Sequence, residues 1–260
     1  FRAGRGLWAK IVKEDYGAED PKSMWLRMIA AGGGGGLTIE QPENNIVRGA
    51  YYALISALSG TQTMALCCYD EAYTIPSEYA QRISLRTMQL LIEEMGMCET
   101  VDPLAGSYYV ETMTNEMRTK MEQTMNEVEA EGGIVKMVSE GAIQAKVSAQ
   151  AYEMQKNIQS GAFRKVGVNC YKTEEAEKEV EFHPYNPKDA DQQIANLNAV
   201  KAERSAAEVA RTLDRVKADA GAGRNVMPAI VEAVKAYATV GEITKKLVEV
   251  YGTYQEPIRF

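Results

Sequence analysis

Two groups of residues could do chemistry by type and spacing: five consecutive glycines at residues 32–36, and a pair of carboxylates, Asp70 and Glu71. Glycine loses more conformational freedom on folding than any other residue, so a folded chain that keeps five needs bare main chain or positive φ there. Either lets a large ligand approach. The competing reading is a flexible linker, but such linkers have polar flanks and join domains. Here Met28, Ile29, Ala30 and Ala31 lead in and a helical pattern follows at once, which favours a ligand-facing loop. Lys22 precedes this stretch, where an ammonium could meet a phosphate or stay solvated. His183 is the one histidine and is followed by proline in a polar turn, so no Ser-His-Asp, Cys-His or histidine-pair zinc chemistry is open to the chain. No phosphate loop of the GxxxxGK type occurs, and the spacing of Cys67, Cys68, Cys98 and Cys170 matches neither a metal site nor a secreted disulfide framework.

The elements that must hold these residues read as strand, loop, helix, strand, acidic loop. Residues 24–31 form an apolar strand and residues 37–60 a helix, with Thr38 and Gln41 or Pro42 as alternative starts. Residues 61–69 return to strand character. Strand, crossover helix and parallel strand make one α/β repeat, whose ligands bind at the strands' carboxyl ends. The glycines and the acids are therefore expected on one side. In the second strand Gln62, Met64, Leu66 and Cys68 alternate with Thr63, Ala65, Cys67 and Tyr69, one set facing a barrel interior and the other the surrounding helices. The two adjacent cysteines then point opposite ways and are expected as small buried residues.

Around this repeat, residues 2–16 have the periodicity of an amphipathic helix, and Pro76-Ser77-Glu78 opens another that runs to Gly96. Tyr108-Tyr109-Val110 reads as extended. Residues 115–159 are helical with a break at Gly132-Gly133, and Met117, Met121, Met125 and Val128 form a core-filling stripe. Residues 164–171 read as a short strand, residues 174–181 as a solvated charge run, and residues 190–218 and 227–251 as two further helices. The chain has 260 residues, a quarter of them charged, and a net charge of -7. It is long enough for a core, and its acidity argues against nucleic acid as the main partner. No apolar run reaches membrane-spanning length and no signal-peptide pattern opens the chain, so the expected location is cytoplasmic. Phe1 in place of methionine leads us to expect a removed terminus or a longer parent chain.

Longer motifs add a resemblance. Leu37-Thr38-Ile39-Glu40-Gln41-Pro42-Glu43-Asn44-Asn45-Ile46-Val47-Arg48, Gly60-Thr61-Gln62-Thr63, Tyr69-Asp70-Glu71-Ala72, Val101-Asp102-Pro103-Leu104-Ala105-Gly106-Ser107-Tyr108-Tyr109 and Lys165-Val166-Gly167-Val168-Asn169 are similar to the large subunit of coenzyme B12-dependent acyl-CoA mutases. The resemblance implies an α/β fold: the C-terminal part of a (β/α)8 TIM barrel over residues 1–114, then a mostly helical region over residues 115–260 without a cobalamin-binding domain. It implies a component of an adenosylcobalamin-dependent mutase that rearranges the carbon skeleton of an acyl-CoA by radical chemistry, the cofactor carrying the hard step. Glu71 matches a glutamate on the adenosyl ribose, and Cys67, Gly33 and Gly34 fall at the cofactor. Gln62, Thr63 and Lys22 match residues along the CoA, and Ala31 lies at the acyl group. Cys67 replaces an asparagine, Ala31 a glutamine, and Ile29 and Ala65 histidines of methylmalonyl-CoA mutase. Each change removes a polar group or bulk, so the expected substrate is another acyl-CoA. No Asp-x-His-x-x-Gly occurs, so the cobalt-ligating histidine comes from a separate cobalamin-binding subunit. A two-strand piece of barrel also leaves edges open, which implies association with the rest of the barrel or with itself. The alternatives are a non-catalytic assembly subunit of a mutase complex and an unrelated barrel lyase that needs no B12.

Overall fold

The computed structural model describes residues 1–31, 33–173 and 182–257. They fall into two compact units, one of residues 1–183 and one of residues 184–257. A continuous helix runs across residue 114, and the division by contacts lies at Pro184.

The first unit opens with α1 (Arg2–Glu14), whose Ala3 and Leu7 are buried. A 3-10 turn, Pro21–Met24, is capped by Asp20, which accepts from the Lys22 N–H. The strand then occupies only β1 (Ile29–Ala31), not residues 24–31. α2 (Asn44–Leu58) crosses to β2 (Thr63–Ala65), which pairs with β1 in parallel, Ile29 opposite Thr63 and Ala31 opposite Ala65. The order strand, crossover helix, parallel strand is the α/β repeat expected from the sequence. The strands are shorter than expected because each has one neighbour in a two-stranded sheet, and a ladder extends only where a partner strand accepts its hydrogen bonds. A complete barrel lies beyond what these strands form.

α2 starts later than either expected start. Gln41 takes a left-handed φ of 48°, so it cannot serve as the third residue of a helix beginning after Thr38, and Pro42 sits in the preceding turn, accepting from the Asn45 N–H. α3 (Glu78–Glu93) begins as expected, with the Ser77 side chain accepting from the Ala80 N–H. Ala53 of α2, Leu66 after β2 and Leu91 of α3 form a buried cluster that fixes the sheet against its helices. Leu66 and Cys68 are buried while Thr63 and Ala65 are exposed, so the alternation is realised from Thr63 to Cys68; Gln62, before the strand, is exposed.

α4 (Tyr108–Ala130) contradicts the extended reading of residues 108–110, which are its first turn behind the Ser107 cap. Arg2 ties α1 to this start, donating to Asp102 at 2.9 Å, Glu111 at 2.9 Å and Thr114 at 3.0 Å. α5 (Ile134–Ser139) and α6 (Ala142–Ser160) follow, broken at Gly133 and again at Gly141. The expected strand at 164–171 is a turn closed by one bridge between Val166 and Cys170, pinned by Asn169, whose amide donates to the Ile158 and Phe163 carbonyls. The charge run at 174–181 lies outside the described residues.

The second unit is helical: α7 (Pro187–Glu203), α8 (Ala206–Gly221), α9 (Met227–Lys235) and α10 (Val240–Tyr251). Val209, Leu213, Val216, Ala229, Ala233 and Ile243 make its core. Two long helices were expected here; four form, because Ser205 and Thr239 cap new starts. No helix of the described residues is long and apolar enough to cross a membrane.

Candidate functional site

The two carboxylates beyond β2 do different work. Asp70 is buried, and its Oδ2 accepts from the Ser77 N–H at 2.9 Å, which holds the turn to the start of α3. Its own carbonyl accepts from the Tyr73 and Thr74 N–H groups, each at 3.0 Å. Glu71 is exposed on the rim, with Oε1 accepting from the Cys68 N–H at 2.8 Å. One carboxylate oxygen is thereby oriented by main chain while the acid as a whole faces out. An oriented, ionised carboxylate is a strong acceptor for ligand hydroxyls.

Beside it lie the thiols. Burial pushes the Cys67 thiol up from its ordinary range, the Glu71 carboxylate adds to this, and the Gly34 N–H works in the opposite direction. Burial, then the Glu71 and Asp70 carboxylates, push Cys68 up to about 11. Both cysteines are free and protonated at neutral pH, and they diverge across the strand as the alternation requires.

Residues 33–36 turn tightly at the end of β1. Gly33 has φ 55°, and Gly34–Gly36 form a 3-10 turn closed by the Gly36 N–H on the Gly33 carbonyl at 2.8 Å. A β-carbon on Gly36 would run into the Tyr52 hydroxyl of α2, and one on Gly33 would press on the same ring. A β-carbon on Gly34 would touch Cys67 Sγ at 3.7 Å, whereas one on Gly35 would meet nothing. The turn thus packs on one side and leaves main chain bare on the other. Gly32 lies outside the described residues.

The structure therefore brings Gly34, Cys67 and Glu71 together at the carboxyl end of the parallel pair, with Gly33 one residue away. It places the remaining expected residues elsewhere along the strands. Ala31 ends β1 opposite Ala65. Gln62 and Thr63 lie at the amino end, where Gln62 Oε1 accepts from the Met28 N–H at 3.2 Å, and Lys22 is exposed in the turn before β1. From Thr63 to Cys67 is about 13 Å of extended chain. At that lower end Trp25, Arg27, Met28, Ile29, Gln62 and Thr63 line an open groove, with the Arg27 guanidinium 6.0 Å from the Trp25 ring centre. Trp25 and Arg27 were missed by sequence reasoning, as were Asn45 and Arg48 behind the glycine turn. The signal for Asn45 was a polar residue at the helix position that faces the sheet.

The sequence matches the methylmalonyl-CoA mutase family over residues 1–253. The chain belongs to this family. It is 41% identical over 98% of its length to the 2-hydroxyisobutanoyl-CoA mutase large subunit of Aquincola tertiaricarbonis, covering 46% of that protein. To methylmalonyl-CoA mutase of Cereibacter sphaeroides it is 36% identical over 100% of its length, covering 36% of that protein, and to that of Escherichia coli 33% over 99%, again covering 36%. The chain thus spans a third to a half of the length of the curated relatives it matches. Membership of the methylmalonyl-CoA mutase family agrees with the parallel β-α-β repeat, a unit from which a (β/α)8 barrel is built.

Proposed function

We propose that this chain is part of the catalytic subunit of an adenosylcobalamin-dependent acyl-CoA mutase, an intramolecular transferase whose acyl-CoA substrate is not methylmalonyl-CoA. The observation that carries the reading is an exposed, main-chain-oriented Glu71 beside the bare turn at Gly33 and Gly34, at the carboxyl end of a parallel strand pair. The residues fit a nucleoside-bearing cofactor. A carboxylate suits ribose hydroxyls, and small groups at Gly34, Gly35 and Cys67 leave room for a flat, bulky ring system. When bound, adenosylcobalamin supplies a carbon-centred radical by homolysis of its cobalt–carbon bond. In this reading Glu71 holds the ribose, Cys67 borders it, and the closed barrel excludes water from the reacting atoms.

For the thioester, Gln62, Thr63 and Lys22 at the amino end are the proposed contacts of the CoA chain, with Ala31 nearest the acyl group. The open face between the two ends carries Ile29, Thr63 and Ala65, all exposed. Such a surface favours an acyl group larger or less polar than methylmalonyl. Residues 1–114 then belong to the C-terminal part of the barrel and residues 115–260 to the helical region. The name of the Aquincola relative, a large subunit, supports a separate cobalamin-binding subunit that brings the cobalt-ligating histidine. The remaining partner is the other part of the barrel. Four free thiols among the described residues fit a cytoplasmic protein.

A second reading, a non-catalytic assembly subunit, draws on the same apolar open face. One experiment separates the two. The full enzyme, with the complete barrel and a cobalamin-binding subunit, is assayed on a panel of acyl-CoAs with and without coenzyme. The catalytic reading expects coenzyme-dependent isomerisation and, for Glu71→Ala, at least about a tenfold higher half-saturating coenzyme concentration. No turnover across the panel, or indifference to Glu71→Ala, leaves the assembly role. Turnover without coenzyme would point to an unrelated lyase.

A further inference from the structure

Behind the glycine turn lies a buried polar residue with no expected role. Asn45, in the first turn of α2, is 1% exposed. Its Nδ2 donates to two carbonyls from different segments, Thr38 at 2.8 Å and Tyr69 at 2.8 Å. Its Oδ1 accepts from the Thr38 N–H at 3.1 Å and from Arg48 Nη1 at 2.7 Å. Two donors on one side and two acceptors on the other fix which way the amide points, and the full capacity of a planar amide is used. Thr38 follows the glycine turn, and Tyr69 precedes Asp70 and Glu71. One side chain therefore joins the two halves of the carboxyl-end site.

The frame continues outward. Arg48 Nη1 also donates to Thr38 Oγ1 at 2.8 Å, and its Nη2 donates to the Val166 carbonyl at 3.0 Å. Gln41 Nε2 donates to the Tyr171 carbonyl at 3.0 Å, and a β-carbon on Gly167 would meet Gln41 and the Glu40 carbonyl at 3.4 Å. The turn at 166–171 is thus fastened to the same fixture. Among the described residues, the side-chain bonds of Asn45 and Arg48 run to Thr38, Tyr69, Val166 and each other, and not to Ile29, Thr63 or Ala65.

We propose that Asn45 is the positioning residue of the carboxyl-end site, setting the glycine turn and the Glu71 turn in one frame that Arg48 extends to residues 166–171. The assignment rests on the mutase reading only for the identity of the ligand. Loss of the Asn45 donors removes a bond from each turn at once, because the one amide donates to both Thr38 and Tyr69. A merely local cap on α2 would instead loosen the helix start alone.

The test is amide hydrogen exchange on the full assembled enzyme without coenzyme, followed by coenzyme titration. Asn45→Asp keeps the size and both acceptor contacts but sets a carboxylate oxygen against the Thr38 and Tyr69 carbonyls. Exchange is expected to rise about tenfold or more at residues 36–38 and at residues 71–74 together, with α3 protection retained and the half-saturating coenzyme concentration raised by a similar factor. Arg48→Gln guards against an Asn45 variant that fails to fold. It should speed exchange at residues 36–38 and 167–169 while leaving residues 71–74 unchanged. Exchange that rises in only one of the two turns in Asn45→Asp, or in neither, overturns the proposal; where Asn45→Asp fails to fold, the Arg48→Gln pattern decides, and its absence overturns it. If both patterns appear but the unaltered enzyme shows no coenzyme affinity, the frame stands and the mutase reading falls.

Discussion

At Cys67 two opposing influences meet: burial and the Glu71 carboxylate hold the proton on sulfur, while the Gly34 N–H favours the thiolate. Since the thiolate is the nucleophile, alkylation reads this balance directly. Iodoacetamide at mildly alkaline pH should modify the exposed Cys98 faster than Cys67 and leave the buried Cys68, held near 11, almost untouched. Glu71→Gln removes the negative charge, lowers the Cys67 pKa and raises its thiolate fraction, so Cys67 labelling should accelerate while Cys98 labelling stays constant. Peptide mapping that shows Cys67 slower, or unchanged, in Glu71→Gln would separate the acid from the thiol and break up the site. At this scale it was legible that Gly34, Cys67 and Glu71 share the carboxyl end of the strands, because glycines, a terminal acid and strand alternation are local signals. The structural roles of Asp70 and Asn45 were not. Their work is to accept or donate to main chain from other segments, and nothing in their own neighbourhood announces which segments those are.

Among the elements, the helix starts were readable where a cap stands beside proline, as at Ser77, and missed where two helices run together. Both breaks in the second unit carry a serine or threonine with glutamate three residues on, Ser205 with Glu208 and Thr239 with Glu242, the spacing of a capping box. Tyr108 and Tyr109 misled for another reason: aromatic residues favour strands, but the Ser107 cap and the Arg2 bonds to Glu111 and Thr114 decide for helix. Strand lengths were overestimated, since pattern reports burial while a ladder requires neighbours. The packing behind the sheet gives a first test: Leu66→Ala, removing the side chain between Ala53 and Leu91, should destabilise the first unit by about 2–4 kcal/mol in urea unfolding. The cap of α10 gives another. Glu242 accepts from Arg204 Nη1 at 2.8 Å and Nη2 at 2.5 Å and from the Thr239 N–H at 2.8 Å. Arg204 first, then that N–H, depress its carboxyl to about 2 from an ordinary 4.5. A depressed carboxylate stabilises the fold fully above its unfolded value and ceases to do so as pH falls through the folded one. Thermal stability of the second unit should therefore decline from about pH 4.5 down to about 2, and Glu242→Gln, with a baseline about 1–2 kcal/mol lower, should lack this component. A variant with the same acid slope as the parent would deny Glu242 the role.

For the whole molecule, the sheet poses a problem of exposed surface. Two parallel strands present main-chain donors and acceptors on both outer edges, and Ile29 at 68% and Trp25 at 57% exposure extend the apolar area on the open face and at its lower end. Parallel strands are found almost only where both faces are covered, and uncovered edges template further pairing. The α1 to α4 side adds a groove lined by Leu7, Trp8, Ile11, Met117, Met121 and Met125, so the methionine stripe expected to fill a core lines a surface channel instead. Strands with uncovered edges beside exposed apolar side chains call for a further surface to cover them. Expressed alone, the chain should elute ahead of a monomer and enhance the fluorescence of a hydrophobic dye, and adding the proposed remaining barrel strands should abolish both effects together. Replacing Ile29 with lysine places a charge on the open face at the strand edge, a device that blocks edge pairing; it should shift the isolated chain towards monomer without changing its helical content. A monomeric, dye-negative chain would mean that these strands close upon themselves, and the case for a shared barrel, with the cofactor and thioester at its two ends, would lose its structural basis.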